Sequence, residues 1–84
     1  MKVIWTKHAG QRLEEWKKKI NISKEEIEII LKNPSQIVSG DLDAFVDQNR
    51  FGDGLLRIPF KYIDKDIKIL TIYWTSKINK YWKE

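Results

Sequence analysis

The chain has 84 residues, with 16 Lys and Arg against 12 Asp and Glu, a net charge of +4, and 42% hydrophobic against 33% charged residues. That length holds one domain, residues 1 to 84, because a second core would leave each half too little buried surface; that composition excludes a disordered chain and a membrane span. Cysteine is absent, which excludes disulfides, thiolate nucleophiles and zinc–thiolate sites. Residues 1 to 5 run at once into charge, so no signal peptide is expected and the expected location is cytoplasmic. Basic residues gather at the two ends: eight against five acids in residues 1 to 33, and four against one in 67 to 84. If the ends meet, they form one positive surface suited to a phosphate-bearing partner; otherwise they are a solvated lysine-rich surface.

The elements follow in chain order. Residues 1 to 5, rich in Val, Ile and Trp, read as a first strand or an extended lead-in. Thr6 caps a helix over residues 7 to 19, where Ala9, Leu13, Trp16 and Ile20 form one apolar stripe. Asn21 ends it. Ser23 and Glu26 form a capping box for a second helix, with Ile22 and Ile27 in the positions of a hydrophobic staple, and Asn33-Pro34 stops that helix. Residues 36 to 39, 44 to 51, 55 to 63 and 67 to 75 read as strands separated by Gly40-Asp41, Gly52-Asp53-Gly54 and Asp64-Lys65-Asp66. The expected fold is α+β, with two N-terminal helices packed on a four-stranded antiparallel sheet. The last strand, the most apolar stretch, is expected at its centre. Residues 76 to 84 form a polar tail that ends in a short closing helix.

A three-residue loop at 64 to 66 pairs Ile63 with Ile67, Phe60 with Leu70, Ile58 with Ile72 and Leu56 with Trp74. The helices then cover the face of Leu56, Ile58, Phe60, Leu70, Ile72 and Trp74. The opposite face presents Arg57 beside Tyr73, with Thr71, Thr75 and Lys61 nearby. Pro59 lies inside its strand without a ladder donor, so a bulge or an edge position there shifts this register.

Few side chains carry chemistry. His8 is the one group with an ordinary pKa near neutrality, and Arg12 lies one turn on; a lone histidine at a helix start also serves as a plain surface residue. Asp41 and Asp43 form a conceivable hard-metal pair, although aspartate in a turn more commonly shapes the turn. No phosphate loop, dinucleotide fingerprint or nucleophile elbow is present, so no cofactor and no metal are expected. At the end of the last strand, Thr75, Ser76 and Lys77, followed by Lys80 and Tyr81, supply hydroxyls and point charges able to hold a phosphate. The same tail also reads as solvated, with Tyr81 and Trp82 as packing anchors.

Thr6-Lys7-His8 with Arg12, the helix ending at Asn33-Pro34, Leu55-Leu56-Arg57, and Thr75-Ser76-Lys77 with Lys80-Tyr81 stand in an order that resembles a family of small domains. That family is grouped with the RelE/ParE-like toxins and the wider barnase, EndoU, colicin and RelE ribonuclease fold. The chain differs from well-studied RelE toxins in having three arginines, Arg12, Arg50 and Arg57. The resemblance implies a metal-independent endoribonuclease of a toxin–antitoxin system, cleaving RNA by attack of the ribose 2′-hydroxyl. In that reading His8 is acid or base, and Arg12, Arg57 and Lys77 stabilise charge. Thr75, Ser76, Lys80 and Tyr81 hold RNA; the partners are RNA, including mRNA on the ribosome, and an antitoxin protein. The other reading is a catalytically inert RNA- or protein-binding module of the same fold, using Trp5, Trp82 and the lysines.

Overall fold

A computed structural model describes residues 1–83; Glu84, the end of the expected tail, lies outside the described residues. In chain order the elements are β1 (Val3–Trp5), α1 (Lys7–Ile20), α2 (Lys24–Lys32), β2 (Gln36–Ser39), β3 (Phe45–Phe51), β4 (Gly54–Ile63), β5 (Asp66–Ile69), β6 (Tyr73–Thr75) and α3 (Ile78–Tyr81). The fold is α+β, with the N-terminal helices packed against a mixed sheet. No helix among the described residues is long and apolar enough to cross a membrane.

Local signals set both helices. The Thr6 hydroxyl accepts from the Ala9 N–H at 3.1 Å and donates to the Ile69 carbonyl at 2.8 Å, so one side chain caps α1 and ties it to β5. Asn21 closes α1 in the left-handed conformation, φ 56°, which asparagine tolerates better than most residues. Ser23 and Glu26 make the reciprocal capping box of α2, and the staple residues Ile22 and Ile27 are both buried.

The sheet departs from four antiparallel strands. Its order is β1-β5-β4-β3-β2, with β6 pairing β4 beyond the end of β5. β1 joins as a strand parallel to β5, Val3 opposite Ile67 and Trp5 opposite Ile69. The centre is β4 and not the last strand, which is interrupted between Ile69 and Tyr73. β4 is the longest strand and the middle of this order, with β3 on one side and β5 then β6 on the other.

The interruption is a bulge. The β4–β5 loop is Asp64-Lys65, so Ile63 faces Asp66, Tyr62 faces Ile67 and Phe60 faces Ile69, one residue away from the expected register. Further on, Arg57 faces Tyr73 and Leu56 faces Trp74, as expected. Three residues, Leu70, Thr71 and Ile72, therefore span what Pro59 and Ile58 span on β4. In an antiparallel pair the N–H and C=O of one residue point to the same neighbour. The Pro59 carbonyl accepts from the Leu70 N–H at 2.8 Å, so the donor that proline lacks is missing on that side, where the bulge forms. As a result Ile67 and Ile69 replace Leu70 under the helices, and Leu70 turns to the opposite face.

One hydrophobic cluster joins the layers: Ala9 and Leu13 of α1, Ile27 and Leu31 of α2, and Leu56, Ile58, Phe60, Ile69 and Ile72 of the sheet, with Trp16 and Trp74 packed against it. Each fully buried Leu, Ile or Phe here contributes about 1.5–3 kcal/mol. Along β4 these residues alternate with Arg57, Pro59 and Lys61, which face away from the helices. Gly54 is required where β6 crosses its end, since a Cβ would lie 2.3 Å from the Thr75 carbonyl oxygen and 2.4 Å from the Trp74 ring.

A cationic groove on the open face of the sheet

Arg57 is the centre of the open face. Its Nε donates to Oε1 of Gln48 on β3 at 2.7 Å, and its guanidinium donates to the Tyr73 hydroxyl across the β4–β6 pair. The Tyr81 ring lies 4.2 Å from the guanidinium carbon, a cation–π distance. Gln48, fully buried, passes the contact on: its amide nitrogen donates to Oε1 of Gln36 at 2.7 Å and to the Tyr81 carbonyl at 3.0 Å. Gln36 in turn accepts from the Lys83 N–H at 3.0 Å and donates to the Lys83 carbonyl at 2.6 Å. Two strand glutamines thus hold the C-terminal segment against the sheet and seat Tyr81 on Arg57.

Three clefts of about 530, 510 and 400 Å³ lie side by side on this face. The first and second share Arg57 and Ser39; the second and third share Lys80. Their walls carry six cations, Arg50, Arg57, Lys61, Lys77, Lys80 and Lys83, against one carboxylate, Asp41, among the described residues. Tyr73 and Tyr81 stand between these charges. Such a strip can track a phosphate backbone while its aromatic faces accept bases.

Of the residues expected at a site, the structure brings Arg57, Lys77, Lys80, Tyr81 and Ser76 into this groove. Thr75 sits at its edge and accepts from the Lys77 N–H at 3.1 Å, which fixes the turn into the tail. His8 and Arg12 lie elsewhere: both are exposed on α1, the layer behind the sheet. Arg12 donates to Glu15 at 2.8 Å. This hydrogen bond is the main reason the Glu15 carboxyl is held below its ordinary pKa, with smaller pulls from Lys19 and His8. Trp5, on β1, faces the helix layer, its Nε1 donating to Glu28 of α2 at 2.9 Å, whereas Trp82 lies 5.3 Å from the Arg50 guanidinium.

The basic residues of 1 to 33 do not contribute to this groove: among the described residues, none that lines it precedes Val38. Gln36, Gln48, Arg50 and Lys83 had not stood out in the sequence. Residues 47 to 50 are polar four in a row, so alternation could not say which of them faced Arg57. Asp41 and Asp43 belong to the β2–β3 turn, closed by the Ala44 N–H donating to the Asp41 carbonyl at 2.9 Å.

One acid is buried on the opposite face of the sheet from the groove. Asp47, opposite Ile58 and next to Ile37, is 1% exposed, and neither carboxylate oxygen has a hydrogen-bond partner among the described residues. Burial pushes its pKa up to about 7.

Neither a protein-family model, nor a curated protein, nor a solved structure matches this chain.

Proposed function

We propose that this chain binds single-stranded RNA along the open face of its sheet, as a RelE/ParE-like domain with an antitoxin protein as its second partner and a cytoplasmic setting. The observation that carries the reading is the continuity of the groove: adjoining clefts with shared cationic walls, six basic side chains and two tyrosines. A double helix is a poorer fit, because stacking on tyrosine needs unpaired bases. The test is the salt dependence of binding to a labelled single-stranded RNA. Linear weakening of log affinity with log salt, with a smaller slope after Lys77→Ala and Lys80→Ala, supports the reading; no binding in low salt removes it.

A second reading adds cleavage, favoured by the contact between Arg57 and Tyr73. Metal-independent cleavage needs a group that moves a proton and cations that take up charge on the phosphorane. The 2′-hydroxyl passes its proton to water as O2′ bonds to phosphorus; the bond from phosphorus to O5′ breaks, and O5′ takes the Tyr73 hydroxyl proton, which water then restores, leaving a 2′,3′-cyclic phosphate. In this reading Arg57 and Lys80 hold the phosphate, and the Tyr73 hydroxyl, which accepts from Arg57, donates to O5′. Cleavage products from a mixed RNA pool in chelator test it.

A further inference from the structure

The first of the three clefts differs from the other two in what it can hold. Its floor is apolar, made by Val46, Pro59 and Leu70, the last turned here by the bulge opposite Pro59. Thr71, Tyr73 and Ser39 offer hydroxyls to it, and Asp41 offers a carboxylate, the single one lining the groove among the described residues. Arg57 and Lys61 also line this cleft and can hold a phosphate at its side, but a phosphate gains little from the apolar residues and is repelled by the aspartate. A flat heteroaromatic ring with polar edges matches both, since its faces suit the floor and an exocyclic amino group suits the carboxylate.

The lip of this cleft is held under strain. Leu42 and Asp43 both have left-handed backbones, φ 51° and 63°, in the tight turn closed by Ala44 and Asp41. Asparagine or glycine is the ordinary occupant of such positions, and leucine is not. The turn leaves Leu42 86% exposed beside the cleft. Strain of this kind concentrates at ligand clamps, and an apolar side chain at the mouth can close over one face of a planar group.

We propose that this cleft is a nucleobase subsite: one unpaired base of the bound strand inserts over Val46, Pro59 and Leu70 beneath Leu42, while its flanking phosphates lie on Arg57 and the lysines of the two neighbouring clefts. The inference rests on the groove being an RNA site and adds what the groove reads. The backbone is held by charge; the base is selected by shape and by Asp41, which favours cytosine, adenine or guanine over uracil because these carry an amino group.

The experiment compares a short single-stranded RNA with an abasic ribose-phosphate oligomer of the same length and charge, by fluorescence anisotropy in low salt. Wild-type protein is expected to bind the RNA at least tenfold more tightly. Leu42→Gly suits a positive φ and so should fold as well as the parent; it is expected to lose most of that preference while binding the abasic oligomer unchanged. Equal binding of the two oligomers by wild type overturns the base subsite and leaves a phosphate-reading groove. A preference that persists undiminished in Leu42→Gly places the base outside this cleft and overturns the proposal. Failure to bind either oligomer removes the RNA reading itself.

Discussion

Leu70 donates its N–H to the carbonyl of Pro59 at 2.8 Å, and this contact decides which side chains face the groove. Above it Phe60 pairs with Ile69; below it Arg57 pairs with Tyr73. Without the extra residue, either the upper half of the last strand would turn its isoleucines to solvent or Tyr73 would turn under the helices. The bulge lets both halves satisfy the core and leaves Leu70 and Thr71 beside Arg57.

The close seating of β6 on Gly54 gives a first prediction. Gly54→Ala places a methyl group against the Thr75 carbonyl and the Trp74 ring, so β6 must shift away from β4. We expect a loss of about 2–3 kcal/mol of stability, the upper range for overpacking, read as a lower urea midpoint. Gly10→Ala, with nothing within 4 Å of its Cβ and a helical setting, should gain about 0.5–1 kcal/mol. Equal midpoints for the two variants would show that the crossing is looser than described.

The salt dependence of RNA binding gives a second. Each phosphate neutralised on a single strand contributes roughly 0.7 to the slope of log affinity against log salt. Lys77→Ala combined with Lys80→Ala should lower the slope by about 1.4, whereas Lys17→Ala combined with Lys18→Ala, on α1, should leave it unchanged. A drop for the α1 pair alone would move the RNA to the helix layer.

How far the sequence led depends on the range of each interaction. The caps at Thr6, Ser23 and Glu26 and the staple of Ile22 and Ile27 were legible because their partners lie within five residues. The open face of Arg57, Pro59 and Lys61 was legible because β4 alternates from Leu56 to Lys61; Tyr73 falls opposite Arg57 as expected only because a loop one residue shorter and a bulge of one extra residue cancel. The pairing of Val3 with Ile67 and the clasp of Gln36 and Gln48 on the tail were not, since each depends on segments brought together only by the finished sheet. His8 drew attention as the lone histidine, but helix periodicity says which flank of α1 it occupies and nothing about which side of the sheet α1 covers.

Cleavage, if it occurs in the groove, should therefore depend on Arg57 and Tyr73. Arg57→Ala and Tyr73→Phe are each expected to lower the rate in chelator by roughly a hundredfold or more, with Tyr73→Phe sparing RNA affinity. His8→Ala should stay within about twofold of the parent rate. A large loss in His8→Ala at matched melting temperature would return the histidine to the reaction.

Asp47 predicts a pH dependence of stability. Its carboxyl has a folded pKa of about 7 against an ordinary 3.8, so between these values the folded state binds the extra proton. Stability is fully present below about pH 4, falls by up to about 1.4 kcal/mol per pH unit as pH rises, and levels off above about 7. Asp47→Asn removes the charge at nearly the same volume and should flatten this fall, melting well above the parent at pH 8 and close to it at pH 4. A parent protein with equal melting temperatures at pH 5 and pH 8 would mean that Asp47 is solvated.

The parallel pairing of β1 with β5 sets an order of events during synthesis. Lys2 and Asp66, which hydrogen-bond at 3.0 Å, are 64 residues apart, and α1 is pinned by Thr6 to the same strand. Closing so long a loop is slow compared with forming the β3–β4 hairpin. While the chain is being made, β1 has no partner until β5 has cleared the ribosome. Until then α1 can coil but has no sheet to rest on, and Trp5 and Trp16 stay wet. The hairpins of β2, β3 and β4 are therefore the part of the fold able to assemble early, and β1, which precedes them in the chain, is among the last to dock.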